Sequence, residues 1–239
     1  MIAHPTDRLL DALFERHDVR HEDNMVIAGE GWLDGRAVAV IGTTDRAFIG
    51  VETALALADH VLAVLRDHPG RPILLIVDNG GQRLSRWDEL MGNNGVIAHL
   101  TTCLDFARRN GHRVVGVVHG LAVSGGFMAT GMATAACHAL PGAELRVMVP
   151  DAMARITRIP LDRLMALFET QPVLAPGAEN FVRIGGLHGV WEGDPREGLR
   201  AALDATDPED DPRRRLGAER GGRGRAADVA ALVRAGAGA

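Results

Sequence analysis

Residues 114–118 are apolar throughout and rich in β-branched side chains, the pattern of a strand buried on both faces. The run breaks at Gly120 and resumes past Ser124-Gly125-Gly126 as a Pro-free stretch over 127–136 that predicts a helix. This pattern of strand, glycine turn and helix occurs twice in succession. In the earlier copy the strand is 73–77, Ile-Leu-Leu-Ile-Val, the turn is Asp78-Asn79-Gly80-Gly81-Gln82, and a helix follows over 87–109 with a break near Gly92 to Gly95. Upstream, residues 7–16 read as a short amphipathic helix. Two strands at 26–32 and 37–43 are joined through Leu33-Asp34-Gly35-Arg36, where Asp-Gly predicts a hairpin turn. Residues 50–66 carry a helical apolar period that stops before His68-Pro69-Gly70.

Downstream the elements are shorter. Residues 139–149 hold strand-like pieces separated by Pro141-Gly142, Pro160 opens a helix over Leu161–Thr170, and 172–176 form a breaker cluster. A short helix over 178–184 is capped by Gly185-Gly186, and 187–192 read as extended. The 204–215 segment is dense in charge and Pro, the composition of a flexible link, and 226–234 are helical before an Ala-Gly tail. The chain reads as one domain over 1–239, with 204–215 linking it to a C-terminal helix.

The bulk properties narrow the function classes. A chain of 239 residues that is 46% hydrophobic can bury a sizeable core. Its 26 basic residues against 31 acidic ones, net charge -5, argue against a nucleic-acid surface, and aromatics at 4% with no Tyr make a base-stacking platform improbable. Cys103 and Cys137 lie far apart without CxxC or Cys/His spacing, so neither a disulfide framework nor a zinc site is expected. No stretch approaches the ~18 apolar residues of a membrane span, and no leader is evident, so a cytoplasmic location with no membrane partner is expected.

The glycine turns carry the candidate chemistry. Backbone N–H groups at a helix entrance lack intrahelical partners, and glycine lets a negatively charged oxygen approach them, which suits a reaction passing through an enolate or tetrahedral oxyanion. Gly125 and Gly126 are the first candidate donors, and Gly80 and Gly81, at the end of the neighbouring strand, the second pair. The alternative for each pair is close packing alone. Ala122-Val123-Ser124-Gly125-Gly126 also resembles a nucleophile elbow, which would need an acid and a later histidine, His138 or His188; otherwise Ser124 is a helix N-cap. His119, at the strand end, is a candidate acid/base group, with a solvated loop histidine as the alternative. His99, His112 and His119 are too scattered to suggest metal, and neither turn matches a nucleotide-binding motif. Cys137 reads as core. The arginine-rich stretch 213–225 is either a docking patch or an exposed charged face.

Several strings carry a resemblance: GWLDGRAVAVIGTT (31–44), GVETALALA (50–58), RPILLIVDNGGQRLSRWDELMGNNGVIAHL (71–100), ARRNGHRVVGVVHGLAVSGGFMATGMA (107–133), MARITRIPLDRL (153–164), VLAPGAENFVRIGGLHGVWE (173–192) and LGAERGGRGRAADVA (216–230). Together, over about four-fifths of the chain, they resemble the gamma subunits of biotin-independent malonate decarboxylases, within the crotonase and carboxyltransferase superfamily. The resemblance implies a ClpP/crotonase-type α/β fold of stacked ββα units with C-terminal helices reaching a partner. It implies a carboxy-lyase that, with a homologous beta subunit, converts a malonyl thioester on an acyl-carrier-protein subunit to an acetyl thioester and CO2. The carrier holds a dephospho-CoA-type prosthetic group, an acyl-carrier transferase subunit is a further partner, and neither biotin nor metal is needed. Gly125-Gly126 and Gly80-Gly81 would face the malonyl group at the cleft between subunits. A scaffold-only subunit and a biotin-dependent carboxyltransferase subunit are the alternatives. The chain departs from the family pattern at His119, where Tyr is common, and at Asn79, where Thr is usual.

Overall fold

The computed structural model describes residues 4–171, 173 and 175–236. Positions 172 and 174 of the breaker cluster and the last three residues of the tail lie outside them. The elements run α1 (Pro5–Leu13), β1 (Arg16–His17), β2 (Arg20–His21), β3 (Val26–Leu33), β4 (Arg36–Thr43), β5 (Ala47–Ile49), α2 (Val51–Asp67), β6 (Ile73–Gln82), α3 (Arg86–Leu90), α4 (Asn93–Arg109), β7 (Val114–Val123) and α5 (Ser124–Ala129). Then follow β8 (Ala136–Ala139), β9 (Glu144–Arg146), α6 (Pro150–Thr157), α7 (Leu161–Thr170), α8 (Ala178–Arg183), β10 (Gly189–Val190), α9 (Pro195–Ala205), α10 (Arg213–Glu219) and α11 (Ala226–Gly236).

β3 and β4 form the expected antiparallel hairpin, and Asp34 (φ 51°) with Gly35 (φ 72°) supplies the two positive-φ positions of a type I′ turn. From β4 onward the main sheet is parallel, in the order β4, β6, β7, β8, β10. Alternation along β6 explains its unbroken apolar run. Ile73, Leu75 and Val77 enter a core with α2 and α4, while Leu74 and Ile76 enter a second core with α1 and α9. Helices thus cover both faces, and the loops at the C-terminal ends of β6 and β7 are left to carry a site.

Two expected glycine turns are instead strand. β6 runs on to Gln82 because 79–82 pair with β5, and β7 runs through Gly120 to Val123 because 121–123 pair with β9. Between these leaves lies a bulge: Val77 opposes Val118 and Asn79 opposes Ala122, so Asp78 alone spans His119, Gly120 and Leu121. The helix expected over 127–136 is also shorter. α5 ends at Ala129, where Thr130 Oγ1 donates to the Gly126 carbonyl at 2.7 Å, a side-chain bond that competes with helical propagation.

The 204–215 segment is helical at both ends, since α9 runs through Ala205 and α10 begins at Arg213. Between them Arg108 donates to the Pro208 carbonyl at 2.8 Å, Arg113 to the Thr206 carbonyl at 3.3 Å, and Thr206 is buried. Charge density there marks exposed side chains on an anchored backbone. α6 and α7 pack as a hairpin on a small core of their own, Leu164, Phe168 and Ala175. Among the described residues, no helix is long and apolar enough to cross a membrane.

Candidate active site

β7 ends at Val123 and the chain turns through Ser124, whose φ of 46° is the left-handed region that non-glycine residues avoid. The next two residues, Gly125 and Gly126, open α5. Val123, not Ser124, is the N-cap, and no side chain caps the helix, so the expected capping role of Ser124 is not fulfilled. Gly125 and Gly126 lie in the first turn of α5, where N–H groups have no intrahelical partner, and no side chain caps that end. With six residues α5 has little macrodipole, so what this turn offers an anion is the two N–H groups themselves.

The two glycine pairs do meet, through Gly126 and Gly81. A Cβ on Gly126 would stand 2.6 Å from Asn79 Oδ1 and 2.8 Å from the Gly81 Cα, and a Cβ on Gly81 (φ 98°) would stand 3.2 Å from the Val123 carbonyl. Asn79 is fully buried; its Nδ2 donates to Thr130 Oγ1 at 3.2 Å, and its Oδ1 accepts a long bond from the Gly81 N–H at 3.4 Å. The bond from Thr130 to the Gly126 carbonyl closes the chain, so the turn after β7 is locked to the end of β6. Gly81 therefore serves close approach, with its N–H already engaged. Gly80 packs against Phe48 and the Arg46 carbonyl. Gly125 is the open position, with Gln82 Oε1, at 3.8 Å, the atom nearest to a Cβ there.

Asp78 fills the bulge. Its buried carboxylate accepts the Leu121 N–H at 2.8 Å and the Arg46 N–H at 3.1 Å, and a Cβ on Gly120 would stand 2.5 Å from it. His119 is grouped with Asp78 rather than with Ser124. Alternation from Val117, which packs with α1 and α9, puts it on the sheet face away from α5. Burial pushes its imidazole below the ordinary value, the Asp78 charge opposes that shift, and His4 and Arg8 reinforce it.

The hydrolase alternative is not assembled. His138 lies opposite Val117, seven residues before Ser124 and roughly 20 Å along the strand. His188 Nδ1 accepts the Cys137 N–H at 3.2 Å. Both line a cavity of about 490 Å³ with Trp191 and Gly198, between β8, β10 and α9. Cys137 is in the core, as expected, and burial pushes its thiol up to about 12. In the arginine-rich stretch, Arg220 donates to the carbonyls of Val182, Leu187 and His188, and Arg213 to that of Met132, so these two anchor the C-terminal helices.

One network was not read from the sequence. Arg83 lies over Gly50, where a Cβ would stand 2.5 Å from its Nε, and donates to both oxygens of the fully buried Asp88, at 2.6 and 2.9 Å. Asp88 also accepts the Ser85 hydroxyl and, at 2.9 Å, the Val51 N–H, capping α2, where the N-cap residue Gly50 has no side chain. The Arg83 guanidinium holds the Asp88 carboxyl well below the usual carboxylate range against the cost of burial. The available signal was Ser85-x-x-Asp88, a capping-box pattern.

Comparison with known proteins adds the family. The family model described as malonate decarboxylase gamma subunit, MdcE, matches residues 44–237. A Malonomonas rubra protein described as malonyl-S-ACP:biotin-protein carboxyltransferase MADD is 32% identical over 136 residues, 56% of this chain and 46% of that protein. The chain thus spans less than half the length of that curated relative. Among solved structures, a chain of a Pseudomonas malonate decarboxylase hetero-tetramer in complex with coenzyme A is 26% identical with a TM-score of 0.79, over 97% of this chain and 99% of that one. A chain of the Pseudomonas MdcD-MdcE hetero-dimer is 27% identical with a TM-score of 0.74, over the same shares. The transcarboxylase 12S core, at 17% identity and a TM-score of 0.69 over 82% of this chain and 40% of that one, shares the crotonase-type fold.

Proposed function

The chain belongs to the malonate decarboxylase gamma-subunit family, and from that membership we propose that it forms, with a homologous beta subunit, the site where a malonyl thioester on an acyl-carrier-protein subunit loses CO2. The bond between the carboxyl carbon and the central carbon breaks, and its electron pair passes into the thioester as an enolate. A proton from water or a partner group then completes the acetyl thioester. Only interactions stronger in the transition state than in the substrate speed this step, and N–H groups fixed where the enolate charge develops meet that condition. The observation that carries the reading is the Gly125-Gly126 turn, which opens α5 without a side-chain cap and is locked in position by Asn79, Thr130 and Gly81.

Exposed apolar side chains around the turns fit a partner surface. Phe48 packs on Gly80, Met128 stands on α5, and Leu84, Trp87, Leu90 and Met91 stand on or beside α3. The solved hetero-dimer of the related Pseudomonas proteins supports a beta subunit as that partner. The carrier with its dephospho-CoA-type group and a transferase that reloads it complete the proposed complex; the chemistry assigned here calls for neither biotin nor metal.

The carboxyltransferase relative keeps a second reading open, because passing the carboxyl group to biotin goes through the same enolate. CO2 release from a malonyl thioester, measured without biotin for this chain, for its beta partner and for the two together, separates the readings. Activity only in the mixture is expected. A partner active alone makes this chain a scaffold, and turnover only when biotin accepts the carboxyl group makes it a transferase subunit.

A further inference from the structure

Apart from the glycine turns, two histidines and an aspartate converge at the other end of the N-terminal helix. We propose that His4, Asp7 and His21 bind a divalent transition ion of the zinc class. One ligating atom from each lies within 4.8 Å of the others. His21 Nε2 and Asp7 Oδ1 are 2.8 Å apart, and the His4 and His21 rings meet edge-on with centroids 4.9 Å apart. Two imidazole nitrogens and one carboxylate oxygen form a donor set that suits zinc, nickel or copper rather than magnesium or calcium. The three side chains are between 30% and 42% exposed, so an ion can enter and water can fill its remaining positions.

The surroundings prepare the donors. Asp45 Oδ1 lies 2.9 Å from His4 Nε2, the carboxylate–histidine arrangement that orients metal-bound imidazoles. With the His4 proton on Nε2, the lone pair is on Nδ1, so an ion bound there takes the place of the Thr6 N–H that Nδ1 accepts at 3.2 Å as the cap of α1. At His21 the ion takes the Nε2 lone pair of the neutral tautomer that carries its proton on Nδ1, and the direct Nε2 to Asp7 contact gives way to the ion between them.

The site joins separate parts of the fold. His4 caps α1, Asp7 lies in its first turn, and His21 lies on β2. Asp45 stands in the turn between β4 and β5, where it and Arg46 both have φ of 56°. Arg46 in turn donates to Asp78 and abuts Gly80, so an ion here braces that strained turn from outside without entering the reaction. The spacing of 4, 7 and 21 matches no familiar metal motif, which explains why the sequence suggested none.

The test uses the untagged full-length chain, stripped with a chelator and titrated with Zn2+ alone, followed by calorimetry and thermal unfolding. A single ion per chain is expected, with Tm raised by about 5–10 °C at roughly a hundredfold excess over Kd. His21→Ala and Asp7→Asn should each abolish uptake, and Asp45→Asn should weaken it by about 10- to 100-fold. Absence of uptake overturns the proposal, and so does uptake that survives His21→Ala and Asp7→Asn, since it then belongs to other histidines.

Discussion

The carboxamide oxygen of Asn79 stands 2.6 Å from the point that a Cβ on Gly126 would occupy, so the end of β6 and the turn after β7 fit together only while position 126 is glycine. Gly125, one residue earlier, has no comparable neighbour. The two halves of one glycine pair therefore have different jobs, and substitution separates them.

Gly126→Ala should displace the turn. Overpacking costs about 1–3 kcal/mol of stability, and loss of a positioned oxyanion donor about 100-fold or more in kcat. Gly125→Ala should leave unfolding within about 0.5 kcal/mol of the parent but obstruct the face where substrate is proposed to bind, lowering kcat/KM. Urea unfolding and turnover of the assembled complex read both. Full activity in both variants would remove the backbone-donor assignment.

The buried pair of Arg83 and Asp88 makes a prediction about stability alone. Arg83→Met leaves a fully buried carboxylate facing Ser85 and the Val51 N–H without its countercharge, which should cost about 3 kcal/mol, the lower end of the range because Arg83 is itself partly exposed. Adding Asp88→Asn to that variant should recover part of the loss, since the unpaired charge is gone. A double-mutant cycle in urea checks this, and strictly additive losses would mean that the two residues do not act as a pair.

Local patterns were legible in the sequence; pairings between distant segments were not. The runs 73–77 and 114–118, the Asp34-Gly35 hairpin and the helix stops at His68 and Gly185 depend on neighbours within a few residues, and each stands where expected. Asp78 to Gln82 read as a turn because Asn-Gly-Gly disfavours strand, but pairing with β5 and β7 and the buried Asp78 carboxylate outweigh propensity there. α5 was overestimated for the converse reason: Thr130 ends it by bonding back to Gly126, which a helical period does not reveal. Of the candidate site residues, Gly81 and Gly126 come into contact, Gly80 packs on Phe48 and Arg46, and His119 joins Asp78 on the other face.

His138 predicts a pH dependence. Burial, with the nearby His188 charge adding to it, pushes its imidazole down from 6.5 to about 4. Between those values the unfolded chain holds the proton and the folded chain does not, so stability falls as pH falls through that window and is unaffected above it. Its share between pH 7 and pH 5 is about 2 kcal/mol. His188, also pushed down, first by burial and then by Arg213 and Arg220, acts with the same sign. His138→Phe should flatten the curve by that share, as measured by urea unfolding at the two pH values. Parallel losses in parent and variant would show that His138 is not the group responsible.

Ser124 separates chemistry from geometry. Its hydroxyl makes no capping bond, and His138 and His188, which follow it in the chain, line a separate cavity, so Ser124→Ala should leave kcat of the complex unchanged; a nucleophilic serine would lose about 10⁶-fold. Its backbone is another matter, because a φ of 46° strains any residue with a Cβ by about 1–2 kcal/mol. Ser124→Gly relieves that strain and in return loses about 0.4–1 kcal/mol to the greater freedom of the unfolded chain, so the net change should be zero to slightly stabilising. The pair of variants assigns the residue: unchanged turnover in both, with stability equal or higher in the glycine form, identifies position 124 as the bend that presents the Gly125 and Gly126 N–H groups. Collapse of activity in Ser124→Ala with folding intact would return the hydroxyl to the reaction and the hydrolase alternative with it.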